Sequence, residues 1–373
     1  MTPNFHTYRE IRQQPSVWLK AFDIVRSKKA EISAFLDKWL AEDCQIVLTG
    51  AGTSAYIGDA LEAALFHTSL SGARSIATTD LITGADNYFD KDSRVLLISF
   101  ARSGNSPESV GAVRAVEKVA GKVAHIFITC NPNGKLALMK GDNILTILLP
   151  PETDDVSLAM TSSYSTMLLT CSMIANIGKL DEQEEHLKNL SACVEAAMNK
   201  YEDAIAGIAK LGFKRAVFLG SGPLKGVAEE SRLKLQELTD GSVMCAFDSF
   251  LGFRHGPKAV VHDDTLMVYL ISAKPYSQLY ELDLVRQIKE KGGNAGCVLV
   301  CQKKPEALGS YDGNLCVEIG LPDSTPQCYS CVSYIFVAQL LGMFKSIEYG
   351  LSPDSPSISG NISRVVEGVI LYD

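Results

Sequence analysis

One pattern occurs twice along this chain: an apolar strand, a glycine turn and then a helix. The first copy has the apolar run 45–49 followed by the turn 50–52, and the second has the run 215–219 followed by the turn 220–222. The two turns begin 170 residues apart, and the ends of the strands that come next are 172 residues apart. A pattern that repeats at nearly constant spacing indicates an internal duplication. We therefore expect two copies of one α/β unit.

Strands and helices alternate within both copies. Further apolar runs occupy 94–99, 125–129 and 143–149 in the first copy, and 266–271 and 298–300 in the second, with helical patterns between them. This alternation predicts an α/β fold in which each copy is a doubly wound, mostly parallel sheet flanked by helices.

The sequence also predicts where the domains begin and end. Residues 8–41 have apolar side chains at helical spacing, and 181–211 form a polar helical pattern between the two copies. The predicted segments are an N-terminal helical segment at 1–40, a first domain at 41–180, a connecting helix at 181–211, a second domain at 212–350, and a C-terminal tail over the active site at 351–373.

Composition disfavours several classes of protein. With 373 residues, 46% of them hydrophobic and 21% charged, the chain has the length and apolar content of about two globular domains. Its net charge of −8 disfavours nonspecific binding to nucleic acid, which requires a basic surface. The N-terminus lacks the layout of a secretory signal, and the apolar stretch 332–344 is too short to span a bilayer. We expect a cytoplasmic protein that contacts no membrane.

The ten cysteines indicate no metal or redox centre. Most of them lie in apolar runs, which is typical of reduced, buried cysteines. Cys328 and Cys331 form a C-x-x-C motif, but no second pair follows, and the motif enters an apolar helical segment. We interpret the pair as core packing. Because metal-ligating residues do not cluster at suitable spacing, we predict neither a metal nor a cofactor.

A serine-rich turn in the first copy is a candidate anion site. Ser103, Gly104, Ser106 and Pro107 lie where the second strand turns into a helix. Serine can cap that helix, proline suits its first position, and the free N–H groups there favour an anion. A capped helix that binds nothing would have the same sequence, so the motif alone leaves both interpretations open. The glycine turn at 50–54 supports the anion site, because both turns follow strands at the ligand-binding edge of such sheets.

Two residues of the second copy are candidates for acid–base chemistry. His255 lies in a loop bounded by glycine and proline and could act as a general acid or base near neutral pH; the alternative is a turn histidine bonded to backbone. Glu237 lies on an amphipathic helix, one turn beyond Leu233. For Glu237 the pattern alone favours a solvated helix face.

Together these residues resemble the SIS (sugar isomerase) domain family over nearly the whole chain. The first copy is similar to the family's phosphate-binding pattern at 52–54 and 103–106. The second copy is similar, at Glu237 and in the loop 252–257, to the isomerase half of glucosamine-6-phosphate synthase. The resemblance implies that Glu237 moves protons between C1 and C2 of a sugar and that His255 opens the sugar ring. It also implies a homodimer or larger symmetric assembly with shared active sites.

Two positions depart from the synthase pattern. Arg102 lies in a phosphate loop that reads Ser-Gln-Ser in the synthase and Ala-Arg-Ser here, so a hydroxyl is lost and a guanidinium is gained. Arg364 stands where the synthase has a Schiff-base lysine; it stays protonated and cannot form the imine, but it could bind a hydroxyl or the phosphate. The predicted substrate-binding set is Gly52, Thr53, Ser54, Arg102, Ser103, Gly104, Ser106, Thr161 and Arg364.

Within the family, the stretches 49–54, 97–109, 159–163 and 252–258 resemble the AgaS branch, which is associated with galactosamine catabolism. Members of this branch have been called galactosamine-6-phosphate deaminases and tagatose-6-phosphate ketose/aldose isomerases. The resemblance implies conversion of galactosamine 6-phosphate to tagatose 6-phosphate and ammonia. A deaminase needs no lysine at position 364, because its substrate already carries nitrogen. Two alternatives stay open: the isomerase without deamination, and a sugar-phosphate sensor without catalysis.

Overall fold

The computed structural model describes residues 4–40, 43–309, 313–365 and 368–372, and the chain divides into two compact units. The first unit comprises Ser16–Asp155, Met160–Leu187 and Ser363–Asp373. The second unit comprises Met1–Pro15, Val156–Ala159 and Lys188–Ile362. Each unit contains one five-stranded parallel sheet. The predicted α/β fold with two doubly wound copies is confirmed.

The sheet of the first unit consists of β1 (Cys44–Thr49), β2 (Arg74–Ser75), β3 (Arg94–Ala101), β4 (Lys122–Thr129) and β5 (Ile144–Leu148). The helices from the N-terminus through this unit are α1 (His6–Ser27), α2 (Lys29–Trp39), α3 (Thr53–Leu61), α4 (Thr78–Gly84), α5 (Pro107–Val119), α6 (Lys135–Leu138) and α7 (Ser162–Ala175). The long helix α8 (Leu180–Ala209) follows, and both α1 and α8 contribute residues to each unit.

The sheet of the second unit consists of β6 (Arg215–Gly220), β7 (Met244–Asp248), β8 (Thr265–Ile271), β9 (Gly296–Cys301) and β10 (Leu315–Glu318). Its helices are α9 (Pro223–Leu238), α10 (Phe250–Phe253), α11 (Pro275–Lys291), α12 (Gln327–Ser330) and α13 (Ile335–Glu348).

The two sheets have the same topology. Their strand orders are β2-β1-β3-β4-β5 and, read in the corresponding direction, β7-β6-β8-β9-β10. In each sheet the chain leaves its first strand towards one edge and later continues towards the other. The carboxyl ends of β1 and β3, and of β6 and β8, therefore mark the point where such sheets bind ligands.

The glycine turns of the two copies also match in conformation. Gly52 has φ 54° and ψ −127°, and Gly222 has φ 57° and ψ −129°. Both lie immediately before a helix, in a region of positive φ that residues with a Cβ rarely occupy. The backbone thus repeats at the positions where the sequence predicted the duplication.

The helical segment Gln327–Glu348, which begins with α12 and ends with α13, belongs to the core, although it is long and apolar. Residues Gln327–Glu348 form 22 successive helical residues with a mean hydropathy of 1.4, which is enough to cross a bilayer by length and composition. The expectation that this stretch is too short was therefore wrong, because the helical segment extends beyond 332–344 at both ends. However, 89% of its most apolar window is buried inside the protein, as in a core helix. Cys328 and Cys331 are both buried within it.

Other differences from the sequence interpretation are local. The helical pattern at 8–41 is two helices that meet at Lys28. The strands β2, β7 and β10 were not predicted: β2 is only two residues long, and β7 and β10 form sheet edges with partly exposed residues. Such strands lack the continuous apolar run that identifies a buried parallel strand.

Candidate active site

The serine-rich turn of the first unit lies between β3 and α5. Ser106 caps α5: its hydroxyl accepts the backbone N–H of Ser109 at 3.2 Å, and Pro107 occupies the first helical position, as predicted. Gly104 has a positive φ of 63°, which suits glycine at this bend. The turn thus presents the start of a 13-residue helix, where N–H groups and the helix dipole favour an anion.

A cavity of about 130 Å³ lies at this turn. The predicted residues that line it are Ser54, Arg102, Ser103, Gly104, Ser106 and Arg364. Gly52, Thr53 and Thr161 are not among the described residues of the lining, although Met160, next to Thr161, is. The structure thus brings six of the nine predicted substrate-binding residues to one place. Their roles in binding stay predictions.

Two guanidinium groups lie beside this cavity. Arg102 is buried and donates a hydrogen bond to the backbone oxygen of Arg364. Arg364 in turn donates to the Asp154 carboxylate at 2.7 Å and to the backbone oxygen of Asp155 at 2.9 Å. Burial lowers the pKa of Arg102, the positive charge of Arg364 lowers it too, and Asp155 acts in the opposite direction. Arginine remains protonated over the physiological range, so the cavity has two cations at its edge, together with the Glu108 carboxylate in its lining.

Asp155 organises the chain beside this cavity, and the sequence interpretation did not identify it. Its buried carboxylate accepts the backbone N–H groups of Thr161 at 2.8 Å and of Ser163 at 2.9 Å. It also accepts the hydroxyls of Ser162 and Ser163, the latter at 2.6 Å. These bonds satisfy donors at the N-terminal end of α7, where a negative charge is favourable. An aspartate a few residues before a Thr-Ser-Ser run was the signal that could have revealed it.

Helix α9 of the second unit carries a row of three charged side chains. Glu230, Lys234 and Glu237 follow one another at intervals of four and three residues and therefore share a helix face. The Lys234 ammonium lies 2.6 Å from Glu237 Oε2 and 3.3 Å from Glu230 Oε1. The side chains of Lys234 and Glu230 are 0% exposed, whereas that of Glu237 is 22% exposed. Glu237 is thus the member of the row that reaches solvent.

The environment of Lys234 fixes its charge. Burial by itself lowers the lysine pKa, but the carboxylates of Glu230 and Glu237 outweigh burial, and the pKa of Lys234 is raised above its ordinary value. The ammonium donates to Oε2 of Glu237, and in the part of the chain that the structure describes the other oxygen, Oε1, has no hydrogen-bond partner. The arrangement holds a carboxylate in one orientation with one oxygen available for a proton.

The interpretation of Glu237 as a simply solvated residue is incomplete, because its partly exposed carboxylate is bound to a fully buried ammonium. A helical Glu with a Lys three residues earlier normally forms a surface pair, and nothing in that spacing indicates that the lysine is fully buried. Roles for Lys234 and Glu230 were not predicted for this reason. The signal that could have revealed them was the Glu-x-x-x-Lys-x-x-Glu spacing. It occurs in a helix whose neighbouring Leu235 and Leu238 are buried.

His255 lies on an exposed turn between α10 and a short 3₁₀ helix at Pro257–Val260. Its backbone N–H donates to the oxygen of Gly252 at 2.9 Å, as in the backbone-bonded turn that the sequence left open. Within the described ranges its imidazole ring has no hydrogen-bond or ion-pair partner. The ring is accessible to a ligand or to another chain.

Comparison with known proteins identifies close relatives. The SIS domain model matches residues 40–177 and 212–343. The chain is 40% identical over 377 residues to the D-galactosamine-6-phosphate deaminase AgaS of Shewanella sp. (strain ANA-3), covering 99% of this chain and 92% of that protein. It is 35% identical over 372 residues to the D-galactosamine-6-phosphate deaminase AgaS of Escherichia coli, covering 98% and 95%. The crystal structure of tagatose-6-phosphate ketose/aldose isomerase from Escherichia coli superposes with a TM-score of 0.90 at 33% identity, covering 99% and 97%.

Proposed function

Because the chain belongs to the SIS domain family, we propose that it is an enzyme that converts galactosamine 6-phosphate and water to tagatose 6-phosphate and ammonia. The observation that carries the proposal is the half-buried Glu237 carboxylate, held at 2.6 Å by the fully buried ammonium of Lys234. An oriented carboxylate with one available oxygen is the group that an aldose–ketose isomerisation requires. The relatives named as galactosamine-6-phosphate deaminases support the choice of substrate.

In the proposed mechanism the phosphate group is bound by Ser54, Ser103, Ser106 and neighbouring backbone N–H groups. These side chains line one cavity at the start of α5, where a dianion is favoured. Arg102 and Arg364 add positive charge at the same cavity, which further favours a phosphorylated ligand over a neutral sugar.

The proton chemistry is assigned to the second copy. His255 transfers a proton to or from the ring oxygen and opens the pyranose. Glu237 then removes the proton from C2 and returns it to C1, through an enolamine, which yields a ketimine at C2. Water adds to the ketimine, the carbon–nitrogen bond breaks, and ammonia and the ketose phosphate leave. Lys234 keeps the Glu237 carboxylate oriented throughout, so we assign it a positioning role.

The first test is ammonia release from galactosamine 6-phosphate, with glucosamine 6-phosphate alongside. We expect release from the galacto substrate, and a decrease of about 10²–10⁴-fold in the Glu237→Gln variant, which removes the general base. Phosphate binding should persist in that variant, since Glu237 is not in the phosphate cavity. Full activity of Glu237→Gln would refute the assignment.

A second candidate is the isomerase without deamination. The structural similarity to the protein named tagatose-6-phosphate ketose/aldose isomerase favours it. The same carboxylate and histidine would serve both reactions. Interconversion of galactose and tagatose 6-phosphates without ammonia from the amino sugar would replace the deaminase with this isomerase.

We further propose that the enzyme is a cytoplasmic homodimer in which His255 acts in the partner's active site. The exposed position of His255, whose ring has no hydrogen-bond or ion-pair partner in the described part of its own chain, supports this arrangement. A mixture of Glu237→Gln and His255→Asn subunits tests it, because only mixed dimers then contain one intact site. Random mixing should restore about a quarter of the wild-type activity if the site is shared between two subunits. No recovery would show that each subunit uses its own histidine.

A further inference from the structure

The second unit has a cavity at the position that corresponds to the phosphate cavity of the first. β6 and β8 pair in the same relative register as β1 and β3, since Thr49 pairs with Ser99 and Leu219 pairs with Tyr269. Residues 170 positions apart are therefore equivalent, and the equivalent of Ser54 is Leu224. Leu224 lines a cavity of about 260 Å³, roughly twice the volume of the first. The duplication has thus preserved a concave site at the ligand-binding edge of the second sheet.

The equivalent loop of the second unit differs in length and composition from the loop that lines the first cavity. The hydroxyl of Ser54 is replaced by the apolar side chain of Leu224. The loop from Ile271 to Pro275 is two residues shorter than the loop from Ala101 to Pro107. It contains Ser272, Ala273 and Lys274, and no glycine, where the first loop has Ser103, Gly104 and Ser106.

A buried carboxylate uses the donors of the second turn instead. Glu281, on α11, is 0% exposed and accepts the backbone N–H of Ser272 at 2.8 Å, with a further hydrogen bond from the Ser221 side chain. Ser221 and Ser272 are equivalent to Ala51 and Arg102, which both line the cavity of the first unit. Because Glu281 accepts from these donors, they are not available to a phosphate dianion. A phosphate there would also lie close to an acidic group.

The lining of the second cavity is suited to hydroxyl groups. Thr325 and Gln302 are each only 7% exposed, and among the described residues the Thr325 hydroxyl has no hydrogen-bond partner. Asp323 and Gln327 add a carboxylate and a second amide, Lys274 adds an ammonium group, and Leu224 contributes an apolar surface. A carboxylate accepts hydrogen bonds from sugar hydroxyls, whereas amide and hydroxyl groups can both donate to and accept from them. A buried hydroxyl without a partner is costly unless a ligand satisfies it.

We propose that this cavity binds an unphosphorylated monosaccharide through its hydroxyl groups. The site is separate from the phosphate cavity of the first unit, because the two sets of lining residues share no member. It is large enough for one sugar ring with its hydroxyls, and its carboxylate and amides would tolerate the ammonium group of a free hexosamine. The inference does not depend on the proposed catalytic activity.

The test is titration of the full chain with galactose and with galactosamine. Binding is measured by calorimetry and by ligand-observed NMR. Ala273→Phe places a ring in the lining at an exposed position and should abolish saturable binding. Thr325→Val keeps the shape but removes the hydroxyl, and should weaken binding about 10-fold while leaving the melting temperature equal or higher, since the hydroxyl has no partner without ligand. Asp323→Asn, at an exposed position, provides a further variant that cannot disturb the core.

Ser103→Ala, in the other cavity, is the matched control and should not change the affinity for the unphosphorylated sugars. The proposal is overturned if neither sugar binds with a Kd below about 10 mM. It is also overturned if binding survives Ala273→Phe but is lost in Ser103→Ala, which would locate the sugar in the phosphate cavity. Binding of inorganic phosphate that is lost only in Ala273→Phe would refute the ligand class.

Discussion

Replacing Lys234 by methionine should both destabilise the second unit and stop proton transfer. The substitution leaves the fully buried Glu230 carboxylate without the ammonium that lies 3.3 Å away. Removing one partner of a buried ion pair costs about 3–5 kcal/mol, because the remaining charge stays in a poorly solvated place. Glu237 loses its 2.6 Å contact as well, but with 22% exposure it can be solvated by water.

A second substitution separates stability from chemistry. In the double variant Glu230→Gln/Lys234→Met the buried charge is absent, so most of the lost stability should return. The activity should not return, because Glu237 still lacks the group that orients it. Glu237→Gln provides the opposite case: Lys234 keeps Glu230 as its partner, the cost to stability should be about 1 kcal/mol, and the activity should be lost.

Two assays together separate the effect of each substitution on stability from its effect on proton transfer. Urea denaturation measures the free energy of unfolding of each variant, and exchange of the substrate's C2 proton with deuterated solvent, followed by NMR, measures the action of Glu237. Wild-type stability of Lys234→Met would mean that the three charges are not coupled as the distances indicate. Wild-type exchange in the double variant would refute the positioning role of Lys234.

Three further predictions concern the rest of the site. Arg364→Ala removes the 2.7 Å contact to Asp154 and a cation at the phosphate cavity. It should raise KM for the phosphorylated substrate more than it lowers kcat, and an unchanged KM would argue against a role of Arg364 in phosphate binding. Asp155→Ala leaves N–H and hydroxyl donors at the start of α7 without their acceptor and should lower the unfolding free energy by about 2–4 kcal/mol in urea, whereas a loss under 1 kcal/mol would contradict the capping role. Gly342→Ala should cost about 1–3 kcal/mol by thermal denaturation, because a Cβ there would lie 2.8 Å from a methyl carbon of Leu238; a melting temperature equal to that of the wild type would show that the helices can move apart.

The parts of the fold that the sequence predicts correctly depend on local patterns. A buried parallel strand needs a continuous apolar run, and the turns at 50–52 and 220–222 need glycine at positive φ, so both copies were recognisable from residues close in sequence. The cap at Ser106 was recognisable for the same reason, since Ser and Pro at adjacent positions define a helix start.

The parts that the sequence does not predict depend on tertiary packing. Lys234 has the sequence environment of a surface lysine, and only the folded structure reveals that its side chain is fully buried. Asp155 lies six residues before its first backbone partner, Thr161, so its role requires the chain to turn back on itself. The resemblance to the family predicts a catalytic role for Glu237, whereas the pattern of its own helix predicts a solvated residue.

The close approach of α13 to α9 has a consequence for synthesis of the chain. Gly342 allows the backbone of α13 to lie against Lys234 and Leu235 of α9, the helix that carries the row of three charged side chains. Helix α9 leaves the ribosome first, and its neighbour is made only after β7 to β10 have been added. Glu230, Lys234 and Glu237 therefore gain their packed surroundings late in translation, well after the sheet of the first unit can form. Helix α9, whose core-facing side chains stay uncovered until α13 is made, would be the segment of the nascent chain most in need of a chaperone.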